Sequence, residues 1–114
     1  MISVGKGKYK VWVKEDTLDK GIILIVGGGE VSHIGSIVLA EPGKSSQIIT
    51  RSGHKEEKIT RNFAEKICVE KKIPVLCVCG IHINDAKKED IKILESNAEK
   101  LLKKVLEKMR QIGV

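Results

Sequence analysis

Apolar positions in the first half of the chain follow the periodicity of β-strands. In residues 8–15, KYKVWVKE, polar and apolar side chains alternate, so Tyr9, Val11 and Val13 share one face of a half-buried strand. Residues 21–27, GIILIVG, form an unbroken apolar run that is rich in β-branched side chains, which is typical of a central strand. Two further strands are predicted over 34–40 and 46–51.

The second half of the chain changes to helical spacing. From Lys55 to Lys72 the apolar residues recur at helical intervals, and residues 87–112 show the same pattern over a greater length. Between these two predicted helices, residues 74–80, PVLCVCG, are typical of a buried strand. The order β-β-β-β-α-β-α predicts an α+β fold, with a mostly antiparallel sheet and two helices packed on one face. We expect residues 1–114 to form a single domain.

Composition and charge exclude several classes of function. The formal charge of +6 comes largely from lysines on predicted helix faces, most of them beside Glu or Asp, which is typical of solvated surfaces. The aromatic residues Tyr9, Trp12 and Phe63 are too few to stack on single-stranded nucleic acid. No apolar run approaches the ~20 residues of a membrane helix. We therefore expect a cytoplasmic protein that binds neither nucleic acid nor membranes.

The cysteines of the chain are Cys68, Cys77 and Cys79, an odd number without framework spacing, which predicts free thiols. A C-x-C sequence beside His82 is also compatible with a metal site. Because side chains alternate along a strand, however, both thiols of that sequence point to one face. We expect them to pack in the core.

A glycine cluster, Gly27–Gly29, follows the predicted central strand. A dinucleotide fingerprint needs G-x-G-x-x-G between a strand and a helix, but Ser32 stands at the third glycine position and strand-like residues follow. No G-K-[ST] sequence follows either. The cluster therefore predicts a turn between strands, where glycine tolerates positive φ and close backbone approach, and no site for ATP or NAD.

The three histidines, His33, His54 and His82, each lie in a glycine-bearing junction between predicted elements. If each element crosses the domain once, the alternating chain direction brings all three to the same end of the sheet. A histidine in a turn is most often a capping or solvated residue, and this structural interpretation stays open. The functional interpretation is a polar site lined by imidazoles.

Two kinds of ligand are compatible with such a site. Residues 51–55, RSGHK, precede the first predicted helix, and a helix N-terminus offers free N–H groups and positive potential to a phosphate or carboxylate. Three histidines with an open fourth position also match a catalytic zinc arrangement. The local H-x-x-x-H spacing is absent, so zinc is the less favoured ligand, with His33, His54 and His82 as its candidates.

Several motifs together resemble the LpdD-like family, the small accessory subunits of gallate-type decarboxylases, described as prenylated-flavin chaperone-like proteins. The family pattern has G-G, then H-I-G, then H-K-[DE] opening a helix with A-[EK]-[KR]-I, and finally A-G-I-H-[IV]. The matching residues are Gly28-Gly29, His33-Ile34-Gly35, Gly53-His54-Lys55-Glu56, Ala64-Glu65-Lys66-Ile67 and Gly80-Ile81-His82-Ile83-Asn84. The resemblance is close over residues 25–84 and departs at Cys77-Val78-Cys79, where the family commonly has other small residues.

The resemblance implies a fold similar to that of proteasome assembly chaperones and a non-catalytic accessory role. The large UbiD-type decarboxylase of such systems uses prenylated FMN, made from FMN and a dimethylallyl phosphate. The small protein is then expected to bind the phosphate of FMN or prenylated FMN, or the large subunit itself. The candidate binding residues are Gly28, Gly29, His33, Gly35, Ser52, Gly53, His54, Lys55, Glu56, His82 and Asn84.

Two other functions stay open on the sequence. One is a His-based metal-dependent hydrolase or lyase that acts on a small anionic substrate, although no set of acid, base and nucleophile stands out. The other is a ligand-free assembly chaperone, which would expose a large apolar patch instead of a pocket. The last predicted helix also has a second apolar row, Leu102, Leu106 and Met109, that is compatible with a homodimer contact.

Overall fold

A computed structural model describes residues 1–51 and 56–112, Ile112 by its backbone alone. In chain order the elements are β1 (Ile2–Val4), a 3-10 turn (Gly7–Tyr9), β2 (Val11–Leu18), β3 (Gly21–Gly29), β4 (Val31–Ala40), β5 (Gln47–Thr50), α1 (Glu57–Lys71), β6 (Val75–His82) and α2 (Lys88–Ile112). The predicted α+β class, with a mostly antiparallel sheet and two helices, is confirmed.

The structure adds one strand to the predicted order. β1 pairs antiparallel with β2, with Ile2 opposite Val13 and Val4 opposite Val11. This strand has 3 residues, which is too short to display an alternation of polar and apolar positions. The sequence pattern therefore carries no signal for it.

The sheet has the strand order β1-β2-β3-β6-β4-β5. β6 runs parallel to β3 and antiparallel to β4, so the last strand of the chain lies between two strands that follow each other in sequence. Both β3 and β6 are hydrogen-bonded to a neighbouring strand on each side. Their unbroken apolar sequences fit this central position.

The connection from β3 to β4 wraps around the end of β6. Gly29 and Val31 both pair with His82, and the N–H of Glu30 donates to the His82 carbonyl oxygen at 2.7 Å. Gly29 has a φ of 73°, and a Cβ there would collide with the His82 carbonyl, so this close approach requires glycine. The predicted turn over Gly27–Gly29 is therefore wrong: these residues end β3, and the chain turns at Glu30.

Both helices cover the same face of the sheet. α1 packs on β4 and β6, α2 packs on β1 and β2, and the two helices contact each other. The largest fully buried side chains between these layers are Phe63, Leu24, Ile67, Leu101, Val11 and Val26. The three cysteines are buried in this core as free thiols, which confirms the predicted free thiols and the predicted core position of Cys77 and Cys79.

The apolar stripe of α2 is largely used within the chain. Leu102 and Met109 are 5% and 7% exposed, and Leu106 packs against the core. The second apolar row of this helix therefore serves internal packing. Its use in a homodimer contact stays a prediction.

Candidate functional site

Polar side chains from separate parts of the chain meet where β3 and β6 end and β4 begins. We name this group the histidine cluster; its members are Glu30, His33, Glu56, His82 and Asn84. Glu30 forms the connection between β3 and β4, and His82 ends β6. Glu56 occupies the N-cap position of α1. The cluster is thus built on a strand end, a tight connection and a helix start.

The first half of the cluster is a pair between the partly buried His33 of β4 and the buried Glu56 at the start of α1. His33 Nε2 lies 3.1 Å from Glu56 Oε1, and the two side chains are only 18% and 10% exposed. The Glu56 carboxylate lies directly against Gly35, where a Cβ would crowd it. Thr60 donates its N–H and its hydroxyl to the Glu56 carbonyl oxygen, at 2.9 and 2.8 Å. A carboxylate beside Nε2 favours the tautomer that carries its proton on that nitrogen.

The second half of the cluster is more open to solvent. His82 Nε2 lies 3.1 Å from Asn84 Oδ1, and both residues are exposed. The Asn84 N–H donates to Glu30 Oε1 at 2.8 Å. These contacts position the His82 imidazole at the surface, where a ligand can reach it.

The two imidazoles lie next to each other. The ring centroids of His33 and His82 are 6.2 Å apart, and the rings are inclined at 83° in an edge-to-face arrangement. The order Glu56–His33–His82–Asn84 therefore runs from the buried helix start to the exposed strand end. The exposed residues of this row, His82 and Asn84, can bind a polar or anionic group by hydrogen bonding.

A bulge in β4 brings His33 to this position. The register between β4 and β6 shifts between Ser32 and Ser36, and the backbone carbonyl of His33 passes over Gly80, where a Cβ would collide with it. Arg51 holds the bulge from the other side: its N–H donates to the Gly35 carbonyl and its Nη1 to the Ile34 carbonyl, both at 2.9 Å.

The structure separates the predicted site residues into three groups. His33, Glu56, His82 and Asn84 meet in the histidine cluster. Gly28, Gly29 and Gly35 permit close packing around it, against the Lys10 carbonyl, the His82 carbonyl and the Glu56 carboxylate respectively. Ser52, Gly53, His54 and Lys55 lie outside the described residues.

Sequence reasoning missed Glu30 and Arg51 as members or supports of the site. Both stand next to predicted residues, but their contacts depend on the wrap around β6 and on the β4 bulge. Neither feature has a periodic sequence signal.

Metal binding finds no support among the residues that the structure describes. No group of three His, Cys, Asp or Glu side chains there is arranged to hold a metal ion. The predicted trio includes His54, which is outside those residues, so the metal hypothesis stays a prediction.

Burial favours the neutral form of the Cys79 thiol, which lies in the core. Burial raises the pKa of Cys79 to about 12, against a smaller lowering by its hydrogen bond with Thr60. Burial also raises the pKa of Cys77. A neutral thiol is a poor nucleophile and metal ligand, so Cys79 acts as a core residue.

The fold is similar to that of a solved chaperone structure. A solved structure described as "Crystal Structure of a Novel Chaperone Complex for Yeast 20S Proteasome Assembly" is similar to this chain with a TM-score of 0.62 and 18% identity, over 96% of this chain and 94% of that one. At this identity the likeness shows the fold, which confirms the expected resemblance to proteasome assembly chaperones.

The chain belongs to the LpdD-like domain family of prenylated flavin chaperones, which matches it over residues 5–110. This membership supports a chaperone or accessory role connected with prenylated flavin. Comparison with curated protein sequences gives no match. Within the described part of the chain, neither helix is long and apolar enough to cross a membrane.

Proposed function

We propose that this protein is a non-catalytic accessory chaperone of a prenylated-FMN-dependent, UbiD-type decarboxylase. It acts in the cytoplasm as a single domain and uses the histidine cluster to hold the cofactor phosphate or to contact the large subunit. Residues 52–55, which precede α1 in sequence, are proposed to supply further donors to the phosphate, with Lys55 as a cationic partner and His54 charged or neutral according to the ligand.

The observation that carries this proposal is the exposed His82 imidazole beside the His33–Glu56 pair. A phosphate would be repelled by bare carboxylates, but Glu56 is paired with His33 and Glu30 accepts the Asn84 N–H. Both acidic groups are therefore engaged within the protein. His82 Nε2 faces Asn84 Oδ1 at the exposed end of the cluster, and we propose that it donates to an anion in exchange for that contact.

Apolar surface next to the cluster fits the ring system of a flavin. Val31 and Ile34, on either side of His33 in β4, are 47% and 55% exposed. A flavin mononucleotide combines an apolar ring with a terminal phosphate. Exposed apolar side chains beside an imidazole donor match those two parts.

The state of the candidate groups supports the proposed non-catalytic role. The Cys79 thiol is buried and neutral, and Glu56 is engaged with His33. No side chain of the described cluster combines exposure with an activating base in the way that a nucleophile requires. The chemistry is therefore assigned to the large subunit.

The proposal is tested by co-expression with a UbiD-type large subunit, followed by isolation of the complex and mass spectrometry of the bound flavin. The parent protein is expected to raise the fraction of large subunit that carries prenylated FMN. His82→Ala and His54→Ala should lower that fraction, whereas Lys104→Ala, on the exposed surface of α2, should not. If the parent changes neither cofactor loading nor recovery of the large subunit, the proposal fails.

A ligand-free assembly chaperone is the second candidate, because one face of the sheet exposes apolar side chains such as Ile25 and Ile49, which are 42% and 66% exposed. It predicts recovery of the large subunit without any effect on cofactor loading. The same co-expression experiment therefore separates the two functions.

A further inference from the structure

The face of the sheet that lies opposite the helices carries a second apolar layer, which we name the open face. Its side chains occupy the strand positions that alternate with the buried positions Val13, Leu24, Cys77 and Val38. The strand register places them in two ranks across five strands. One rank is Lys14, Ile25, Val78, Ile37 and Ile49; the other is Asp16, Ile23, Leu76, Leu39 and Gln47.

The open face is not part of the core that the helices cover. None of its aliphatic residues belongs to the core cluster of the described residues or to the partly buried side chains packed on it. Trp12 extends the face by one further rank, with its ring lying over Gly27. Central strands with β-branched residues on both faces are typical of sheets that are covered on both sides.

We propose that a second copy of this chain covers the open face, so that two sheets stack into a symmetric dimer. Sheets that pack face to face interdigitate aliphatic side chains at a distance of ~10 Å. An isologous contact places the same patch on both partners, so the face must be complementary to itself.

The charges of the open face meet this requirement. Lys14 and Asp16 occupy the same edge of the two ranks, two residues apart on β2. A two-fold axis that runs between the ranks, across the strands, places Lys14 of each copy opposite Asp16 of the other. The same operation places Ile25 opposite Ile23 and Val78 opposite Leu76. Opposite charges therefore meet at β2, and the apolar side chains of the three central strands meet one another in the same arrangement.

The balance of charge also favours self-association at this face. The whole chain has a formal charge of +6, so two copies repel each other through most of their surface. Lys14 and Asp16 cancel within the two ranks, and the remaining positions there are uncharged. The open face is thus a surface where two copies approach without net like-charge repulsion.

The open face is large enough for a dimer interface. Five strands ~4.8 Å apart span about 24 Å, and β2 positions Trp12 to Leu18, whose ends the same two-fold axis places opposite each other, span about 20 Å. Two copies then bury on the order of 1,000 Å², which reaches the size expected of a biological interface.

The oligomeric state of the purified full chain tests the proposal. Light scattering coupled to size exclusion is expected to give twice the 12.6 kDa of the chain. Ile25→Glu should produce a monomer. Ile91→Glu is the matched control, because Ile91 is equally 42% exposed but lies on α2. A monomeric parent, or loss of the dimer in Ile91→Glu alone, would overturn the proposal.

A charge exchange on the exposed edge tests the arrangement even if Ile25→Glu fails to fold. Asp16→Lys should weaken the dimer at least about tenfold, because two lysines of each copy then face two of the other. Lys14→Asp combined with Asp16→Lys should restore the parent dissociation constant. If Asp16→Lys has no effect, the two-fold arrangement is wrong. Because dimerisation is measured without flavin or large subunit, its failure is distinct from a failure of the proposed function.

Discussion

At the scale of single residues, the sequence placed His33 and His82 at the same end of the sheet, and the structure brings their rings to 6.2 Å. The partner of His33 could not be predicted in the same way. Glu56 was assigned to ligand binding from its motif, whereas the structure pairs it with His33 at 3.1 Å. That contact depends on the β4 bulge, which no periodic pattern reveals. The role of the cluster in binding stays a prediction.

The His33–Glu56 pair is expected to couple strongly because it is buried. In a double-mutant cycle with His33→Gln and Glu56→Gln, we expect a coupling free energy of about 1–3 kcal/mol in denaturant unfolding. The exposed pair Arg110–Glu70, with a nitrogen–oxygen distance of 2.9 Å, is the control and should couple by less than about 1 kcal/mol. Equal coupling in the two pairs would contradict the structural role given to His33.

The buried thiols should make the protein less stable at alkaline pH. Burial raises the pKa of Cys79 from 9.0 to about 12. A pKa raised in the folded state gives a contribution that is fully present below the unfolded value and is lost as the pH rises through the folded value. Between about pH 8 and 10 the unfolding free energy of the parent should therefore fall by about 1 kcal/mol more than that of Cys79→Ala. Parallel profiles for the two proteins would contradict this account.

At the scale of elements, the sequence predicted all the elements that have enough residues to show a period. It missed β1, which has 3 residues, and it could not show that β6 lies between β3 and β4. Strand order depends on long-range pairing, and local patterns are silent about it. The glycine cluster Gly27–Gly29 illustrates the same limit. The sequence predicted that another backbone segment comes close to these glycines, but it could not identify that segment as the end of β6.

The His33 carbonyl, at the bulge of β4, lies so close to Gly80 of β6 that Gly80 is sensitive to substitution. In Gly80→Ala the added Cβ would collide with the His33 carbonyl, so we expect the unfolding free energy to fall by about 1–3 kcal/mol. Gly21→Ala is the matched control in the neighbouring strand, since a Cβ there would meet nothing closer than the Pro74 carbonyl at 3.5 Å. Equal stability of the two variants in denaturant unfolding would show that the His33 carbonyl does not approach Gly80 this closely.

At the scale of the whole molecule, the two sides of the sheet have different assignments. The helices close one side, and the second copy is proposed to close the other. The histidine cluster lies at one end of the sheet, where β3 and β6 finish, and is built by contacts within one chain. Cofactor binding and dimer formation are therefore separable properties, and variants of Ile25 and His82 should affect only one each.

Calorimetric titration of the purified protein with FMN, and separately with riboflavin, tests the central claim most directly. Riboflavin has the same ring system but no phosphate. We expect FMN to bind more tightly than riboflavin, and His82→Ala to weaken FMN binding by ~1–3 kcal/mol while leaving riboflavin binding unchanged, because the imidazole is assigned to the phosphate. Equal affinity for the two flavins, or unchanged FMN binding in His82→Ala, would contradict the phosphate site at the histidine cluster.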